Sequence, residues 1–242
     1  MRKSRFIIFL LFFLDLQVNA NAAMRRVTLI KSKPIKEQIC SNNTNYIIKF
    51  NFDLKNETLV IPENCCLTFK GGQIKNGNIK GNGTRIKAGK RLLFDKVSLS
   101  GVWENDTVYS EWLNFKSGDT VDNKNEFINL MTLANGVVYT HLYMQRGTYY
   151  CSVVKESSYI KVPSNVYWHN QATICQIETD LQKYAFVLIR RSHNVTIDGG
   201  AFIGDIRRHK DRGGQWGYGI KVAGSNNAVS YTHLTLPTIC SV

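Results

Sequence analysis

The chain has 242 residues, which suits one or two domains, and its composition of 43% hydrophobic residues, 18 Gly and 4 Pro is typical of a folded protein rich in β-strands and turns. That hydrophobic content excludes an intrinsically disordered chain. The net charge of +13 favours a partner that carries negative charge, an acidic polysaccharide or an anionic cell surface, although a solvated basic face would give the same charge.

The first 22 residues predict a secretory signal. A basic start at residues 2–5 precedes an apolar run at residues 6–14, and residues 20–22 form a small-x-small cleavage site. A membrane-spanning helix needs about 20 apolar residues, but Asp15 and Gln17 interrupt this run earlier. We therefore expect the chain to be secreted, periplasmic or on the cell surface, with no transmembrane segment after cleavage. In that location we expect no nucleic-acid partner.

Residues 23–112 predict an N-terminal β-rich segment. Its short β-favouring runs are separated by Gly and Asn, which supply the positive φ angles of tight corners. Such corners suit a solenoid as well as hairpins. Residues 59–64 and 67–72 parallel residues 160–165 and 195–200, so we interpret residues 59–72 as an older copy of a repeat found later in the chain. The alternative is that an apolar-Pro-polar-Asn run is simply how many strands end and turn.

Five of the six cysteines precede residue 229, at Cys40, Cys65, Cys66, Cys151 and Cys175. An odd number leaves one unpaired, and their spacing is not that of a zinc site, so we expect no bound metal. Adjacent Cys65 and Cys66 point to opposite faces of a strand. We expect the cysteines to act as small buried hydrophobic residues, and a single disulfide of undetermined pairing stays open.

Residues 122–135 predict one short amphipathic helix. Phe127, Leu130, Met131 and Ala134 recur at spacings of three and four residues, which is the period of a helix with one apolar face. Gly136 would end this helix. Strand-like runs precede and follow it.

Two ten-residue stretches, 165–174 and 194–203, match at Asn, Val, Ala and Ile and start 29 residues apart. A period of this size predicts a solenoid with one strand-and-turn unit per coil. The apolar residues of the two copies would share one buried face, with Trp168 opposite Ile197, which favours core packing of this tryptophan over sugar stacking. The Asn residues would lie at corners, where their amides bond the coils above and below.

The order of these signals resembles the pectate lyase superfamily of polysaccharide-active proteins. The matching features are a Gly-Asp-rich loop at 118–122, a short helix at 126–134, a Gly-x-Tyr strand end at 147–149 and a coil-opening strand at 160–166. The resemblance covers residues 112 to 227 approximately. It implies an all-β fold, a right-handed parallel β-helix (solenoid) with one short capping helix around 122–135. Residues 113–228 would be the truncated start of the main parallel β-helix, and the chain an N-terminal fragment.

The loop at residues 204–219 holds the largest group of chemically active side chains. Asp205, His209 and Asp211 are candidate catalytic residues, because carboxylates and imidazoles move protons in hydrolysis and in β-elimination. The candidate substrate-binding residues are four cations for uronate carboxylates and two aromatic platforms for sugar rings: Arg207, Arg208, Lys210, Arg212, Trp216 and Tyr218. A solvated, flexible charged loop with Trp216 packed beneath it is the alternative.

Fold resemblance, export and the basic loop together predict a protein that acts on an acidic polysaccharide, as a lyase or glycoside hydrolase, and that is inactive as this fragment. The polygalacturonase-type motifs and calcium-binding carboxylate clusters of the superfamily do not occur in the sequence. The resemblance therefore supplies no catalytic residues, and a calcium ion is expected only for a lyase. Because fold alone does not give function, a non-catalytic carbohydrate-binding or adhesion module on the cell surface is the alternative.

Residues 229–242 resemble the translation of a sequencing adapter. The stretch interrupts a third copy of the repeat directly after its lead-in, Ser225-Asn226-Asn227. We expect the natural protein to depart from this sequence near Ala228 and to be longer, whereas an ordinary C-terminal strand is the alternative.

Overall fold

The computed structural model of the chain describes residues 24–119, 121–135, 137–153, 160–181, 184–205, 209 and 217–233. Within these ranges the protein is mostly β-strand with two α-helices, and its paired strands run parallel. The all-β, parallel character predicted from the sequence is therefore confirmed. In the described part of the chain, neither helix is long and apolar enough to cross a membrane.

The first group of strands is built from residues 25–103. It comprises β1 (Arg25–Thr28), α1 (Ile35–Gln38), β2 (Thr44–Ile48), β3 (Phe52–Asp53), β4 (Thr58–Val60), β5 (Cys66–Phe69), β6 (Ile74–Lys87) and β7 (Phe94–Trp103). The order β1-β2-β5-β6 forms one parallel array, and β3, β4 and β7 also pair with β6. Strand β6 is long because it continues around a corner, where its register with β7 shifts between Gly81 and Thr84.

This corner requires glycine. Gly101 has a φ of +81°, and a Cβ atom added to it would lie 2.1 Å from the carbonyl oxygen of Gly81. Two backbones therefore approach more closely than any side chain permits. The Gly and Asn residues that separate the strand-like runs in the sequence do mark corners between parallel strands.

The second group of strands follows residue 106. It comprises β8 (Thr107–Tyr109), a short 3₁₀ helix (Ser110–Trp112), α2 (Lys124–Leu133), β9 (Thr140–Met144), β10 (Thr148–Cys151), β11 (Ile160–Lys161), β12 (Val166–Asn170), β13 (Thr173–Gln176), β14 (Ala185–Arg190), β15 (His193–Ile203), β16 (Tyr218–Ala223) and β17 (Asn226–His233). The parallel orders are β8-β9-β12-β15-β17, β10-β13-β15 and β11-β14-β16. Strand β8 precedes the predicted domain boundary at residue 112 but pairs with β9.

The repeat predicted from the sequence is present as stacked strands. Trp168 on β12 pairs in register with Ile197 on β15, and both side chains are fully buried. Trp168 also packs edge-on against Phe202, with ring centroids 5.7 Å apart. The expectation that this tryptophan belongs to the core is confirmed.

The end of the repeat has a different register from the one that the sequence match indicates. The match sets Ile174 opposite Ile203, but the structure pairs Ile174 with Phe202. The corner at Gly199 and Gly200 is one residue shorter than the corresponding corner before β13, because both glycines adopt positive φ angles, +80° and +70°. As a result Phe202 is buried, whereas Ile203 is 37% exposed.

Three asparagines form a ladder at equivalent corners. Asn165, Asn194 and Asn227 have φ angles of 58°, 54° and 52°, a region that Asn tolerates better than most residues. The Asn194 amide donates to the Asn165 side-chain oxygen at 3.1 Å, and Asn227 donates to Asn194 at 3.2 Å. The predicted amide bonding between successive corners is confirmed. Asn64, which aligns with Asn165 in the sequence, has the same conformation, with a φ of 54°.

Helix α2 lies within the predicted range and covers the edge strand β7. Its buried Asn129 accepts from the Leu99 amide at 2.8 Å and donates to the Val97 carbonyl at 2.7 Å. These bonds satisfy backbone groups that an edge strand otherwise leaves unpaired. Phe127 and Leu130 bury the apolar face of the helix.

The cysteines mostly have the expected structural role. Cys65, Cys66, Cys151 and Cys175 are buried and Cys40 is exposed. The pKa of the Cys151 thiol is raised to about 12, mainly by burial. This thiol therefore stays protonated at neutral pH.

Candidate functional site

The loop that carries the predicted site is described in part. Asp205 and His209 are each 3% exposed, and Tyr218 is 56% exposed. The remaining predicted catalytic and substrate-binding residues lie outside the described residues: Arg207, Arg208, Lys210, Asp211, Arg212 and Trp216. The structure therefore brings together two of the three predicted catalytic residues, in a buried position.

Asp205 is held by three donors. Its carboxylate accepts from the Thr179 backbone amide at 2.9 Å and from the Tyr184 hydroxyl at 2.9 Å, and it lies 3.1 Å from Nδ1 of His209. The pKa of Tyr184 is raised, first by burial and then by Asp205, so its hydroxyl stays a donor. This network anchors the start of the loop to Tyr184, directly before β14, and to the segment after β13. The catalytic role of Asp205 and His209 stays a prediction.

Tyr218 begins β16 with an exposed ring. The Lys221 ammonium lies 4.7 Å from the centroid of this ring. A cation over a tyrosine face is attracted by the negative potential of the ring. Tyr218 therefore presents an aromatic group next to a positive charge, which is compatible with the predicted binding of an acidic sugar.

A second set of polar aromatic residues lies on the outward side of β8, β9 and β12. Side chains alternate between the two faces of a strand, and in each of these strands the intervening residue is buried: Val108, Leu142 and Trp168. The parallel register then aligns the outward residues of successive strands. The resulting aromatic face consists of Tyr109, His141, Tyr143, Tyr167 and His169.

The rings of the aromatic face stack on one another. Tyr143 lies in register between Tyr109 and His169, with ring centroids 5.5 Å and 4.4 Å away. The ring of Tyr167 lies 4.2 Å from that of His169 and 5.7 Å from that of His141. Interplanar angles of 5° to 25° make these contacts stacked rather than edge-on. Stacking fixes the rings, so their polar atoms keep fixed positions.

Two histidines form the chemical centre of this face. Nδ1 of His141 and Nε2 of His169 are 3.1 Å apart, so one nitrogen carries the proton and the other accepts it. The pKa of His169 is lowered, first by burial and then by the charge of His141. His169 is therefore neutral at neutral pH, and the pair is able to take up a proton.

Charged groups lie at the two ends of the aromatic face. The Tyr167 hydroxyl donates to the Asp198 carboxylate at 3.3 Å, and Asp198 pairs in register with His169. At the opposite end, the Lys90 ammonium lies 5.3 Å from the Tyr109 ring centroid. The face thus combines a proton-accepting pair, phenol hydroxyls, one carboxylate and one ammonium.

The aromatic face is not among the sequence predictions, although the sequence carries a signal for it. His141-Leu142-Tyr143 and Tyr167-Trp168-His169 each place two polar aromatic residues on either side of an apolar one. This spacing directs both polar rings to the same outward face of a strand. The alternation was interpreted only for its buried member, Trp168.

Comparison of the chain with protein-family models, with curated proteins and with solved structures finds no match. Among the described residues, no group of three or more His, Cys, Asp or Glu side chains is arranged to hold a metal ion. The geometry of the aromatic face is therefore the basis on which we identify it as a candidate site.

Proposed function

We propose that the protein is an exported right-handed parallel β-helix that binds an acidic polysaccharide along the aromatic face and cleaves it by β-elimination. The observation that carries this proposal is the hydrogen-bonded pair of His141 and His169, which lies on the outward side of a parallel sheet. The β-helix itself is supported by three parallel strand orders that repeat around successive corners.

The proposed reaction uses a base and an acid. His169 takes the proton from the carbon next to the uronate carboxylate, and the electron pair left on that carbon forms a carbon–carbon double bond. The bond to the glycosidic oxygen on the neighbouring carbon breaks, and this oxygen takes a proton from the Tyr167 hydroxyl or from the protonated pair. A base that is neutral near pH 7 suits the first step. The lowered pKa of His169 supports that assignment.

Positive charge supports an acidic substrate. Lys90 lies at one end of the aromatic face, and the whole chain has a net charge of +13. Removing a proton beside a carboxylate builds up negative charge in the transition state, which nearby cations stabilise. Fixed cations also raise the rate at which a polyanion associates with the protein.

The test is an assay of the full-length protein, produced from its uninterrupted gene, against a panel of uronate polysaccharides. Elimination gives an unsaturated product with ultraviolet absorbance, and hydrolysis gives new reducing ends without it. We expect absorbance to increase with at least one substrate, and His169→Gln to lower the rate about 10²- to 10⁴-fold. His193→Gln is the matched control, because His193 is exposed and lies on β15 away from the pair. Reducing ends without absorbance would replace elimination by hydrolysis.

A non-catalytic carbohydrate-binding module is the second candidate. It is favoured by the burial of Asp205 and His209, which removes two predicted catalytic groups from contact with a polymer. Binding to a glycan array that persists in His169→Gln, with neither unsaturated nor reducing ends produced, would support this candidate against the lyase.

A further inference from the structure

A groove of about 460 Å³ lies between α2 and the strands β11 and β14. Its volume is within the range of pockets that bind small molecules. It is separate from the aromatic face, since the residues that line it belong to α2, β11, β14 and the corners that follow these strands. The groove therefore has no part in the proposed polysaccharide reaction.

The floor of the groove is apolar. Phe127, Met131 and Ile160 line it and are 1%, 6% and 3% exposed. Ile128, on the same helix, also lines the groove but is 46% exposed. A ligand with an apolar body that covers this isoleucine and the apolar floor would remove apolar surface from water. Such burial is favourable in free energy.

The rim of the groove is basic. Lys161, Arg190 and Arg191 line it and are exposed, and no lining residue is acidic. In the described part of the chain none of these three cations takes part in an ion pair. Arg191 has a φ of 51°, and its backbone amide donates to the Ala223 carbonyl at 3.0 Å, which fixes the position of this residue.

We propose that this groove binds an amphipathic carboxylate, a small molecule with one anionic head and an apolar tail. The tail lies on Phe127, Met131 and Ile160, and the head pairs with the cations of the rim. Charge complementarity selects the anionic head, because a cationic ligand would meet three like charges and a neutral one would leave the rim unpaired. Arg is the residue that binds a carboxylate in bidentate geometry.

The first experiment is isothermal titration calorimetry with hexanoate, octanoate and decanoate, each below its micelle concentration, on the whole protein. We expect affinity to rise about threefold to fourfold for each methylene that the groove buries. Decanol, which has the same tail without charge, should bind roughly tenfold more weakly than decanoate. Equal affinity of decanol and decanoate, or no heat of binding with decanoate, would overturn the proposal.

The second experiment locates the binding site. The double variant Lys161→Gln, Arg190→Gln removes two rim charges and should weaken decanoate binding roughly tenfold. Ile128→Ser should weaken it as well, without unfolding the protein, because this side chain is largely exposed. Lys87→Gln, an exposed cation at the end of β6, is the control and should bind as the wild type does.

Competition distinguishes this groove from the polysaccharide site. A uronate tetrasaccharide should leave decanoate bound, whether or not the protein cleaves polysaccharides. Displacement of decanoate by the tetrasaccharide would assign the groove to the path of the polysaccharide and overturn the proposal. Failure of the elimination assay has no bearing on this result, since the two readouts use different ligands and different residues.

Discussion

Nδ1 of His141 lies 3.1 Å from Nε2 of His169, although the two residues are 28 positions apart in the chain. At this distance the pair holds one shared hydrogen, and protonation of both rings would place two positive charges side by side. The two histidines lie on the neighbouring strands β9 and β12, so a second positive charge on the pair would weaken the pairing of these strands.

Stability should depend on pH through His169. Its pKa is lowered by burial and by His141, whereas an unperturbed histidine has a pKa of about 6.5. Between these two pKa values the unfolded chain binds more protons than the folded one, so the free energy of unfolding falls as the pH decreases through this range. We expect the urea midpoint to decrease more steeply between about pH 7 and about pH 5 in the wild type than in His169→Gln.

The control for this pH dependence is His193→Gln. His193 is exposed and lies outside the aromatic face, so comparing the two variants separates the effect of the pair from that of replacing a histidine elsewhere. If His169→Gln keeps the slope of the wild type, the pair does not contribute to the pH dependence.

Trp168→Ala should destabilise the protein strongly. The indole is fully buried, pairs in register with Leu142 and Ile197, and contacts Phe202. Loss of a buried aromatic side chain leaves a cavity and costs about 3–5 kcal/mol. Urea denaturation measures this loss, with Val102→Ala as the control because Val102 is 41% exposed. A loss below about 1 kcal/mol would contradict the assignment of Trp168 to the core.

The loss of stability on replacing Asn194 should depend on which residue replaces it. Its φ of 54° disfavours side chains branched at Cβ. Asn194→Val should therefore cost about 1–2 kcal/mol more than Asn194→Gly, which keeps the backbone conformation and loses only the bonds to Asn165 and Asn227. Thermal unfolding of the two variants gives the comparison. Equal stability would show that the corner relaxes to another conformation.

Asp205→Ala should lower stability by breaking the hydrogen bonds that hold the start of the loop, rather than by removing a reactive group. The substitution leaves the buried hydroxyl of Tyr184 and the half-buried amide of Thr179 without their acceptor, and the buried donor alone costs about 1–3 kcal/mol. Asp180→Ala, which removes an exposed carboxylate, is the control and should be neutral. An Asp205→Ala variant with wild-type thermal stability and no activity would instead support the catalytic prediction for Asp205.

Much of the fold followed from local pattern. The match of Trp168 with Ile197 predicted its burial, and the matched Asn165 and Asn194 predicted corners that bond to one another. The sequence match aligns Ile174 with Ile203, but the structure pairs Ile174 with Phe202, because the two positive φ angles at Gly199 and Gly200 shorten one corner. Corner length depends on backbone conformation, and a ten-residue sequence match does not report it.

The candidate site was harder to predict from the sequence than the fold. The chemistry of Asp205 and His209 is visible in the sequence, but the residues that donate to Asp205, Thr179 and Tyr184, are 26 and 21 positions from it in the chain. The aromatic face was missed because its rings come from three strands. Local spacing places the polar rings on one face of each strand, but which residues meet depends on which strands pair and in which register.

The sequence alone determined which side chains of each strand face inward and where asparagine and glycine turn the chain, because both follow from alternation and from the φ angles that a residue tolerates. The tertiary structure decided which outward residues meet. His141 reaches His169, and Lys161 reaches the groove beside α2, only because parallel register aligns strands that are far apart in the chain.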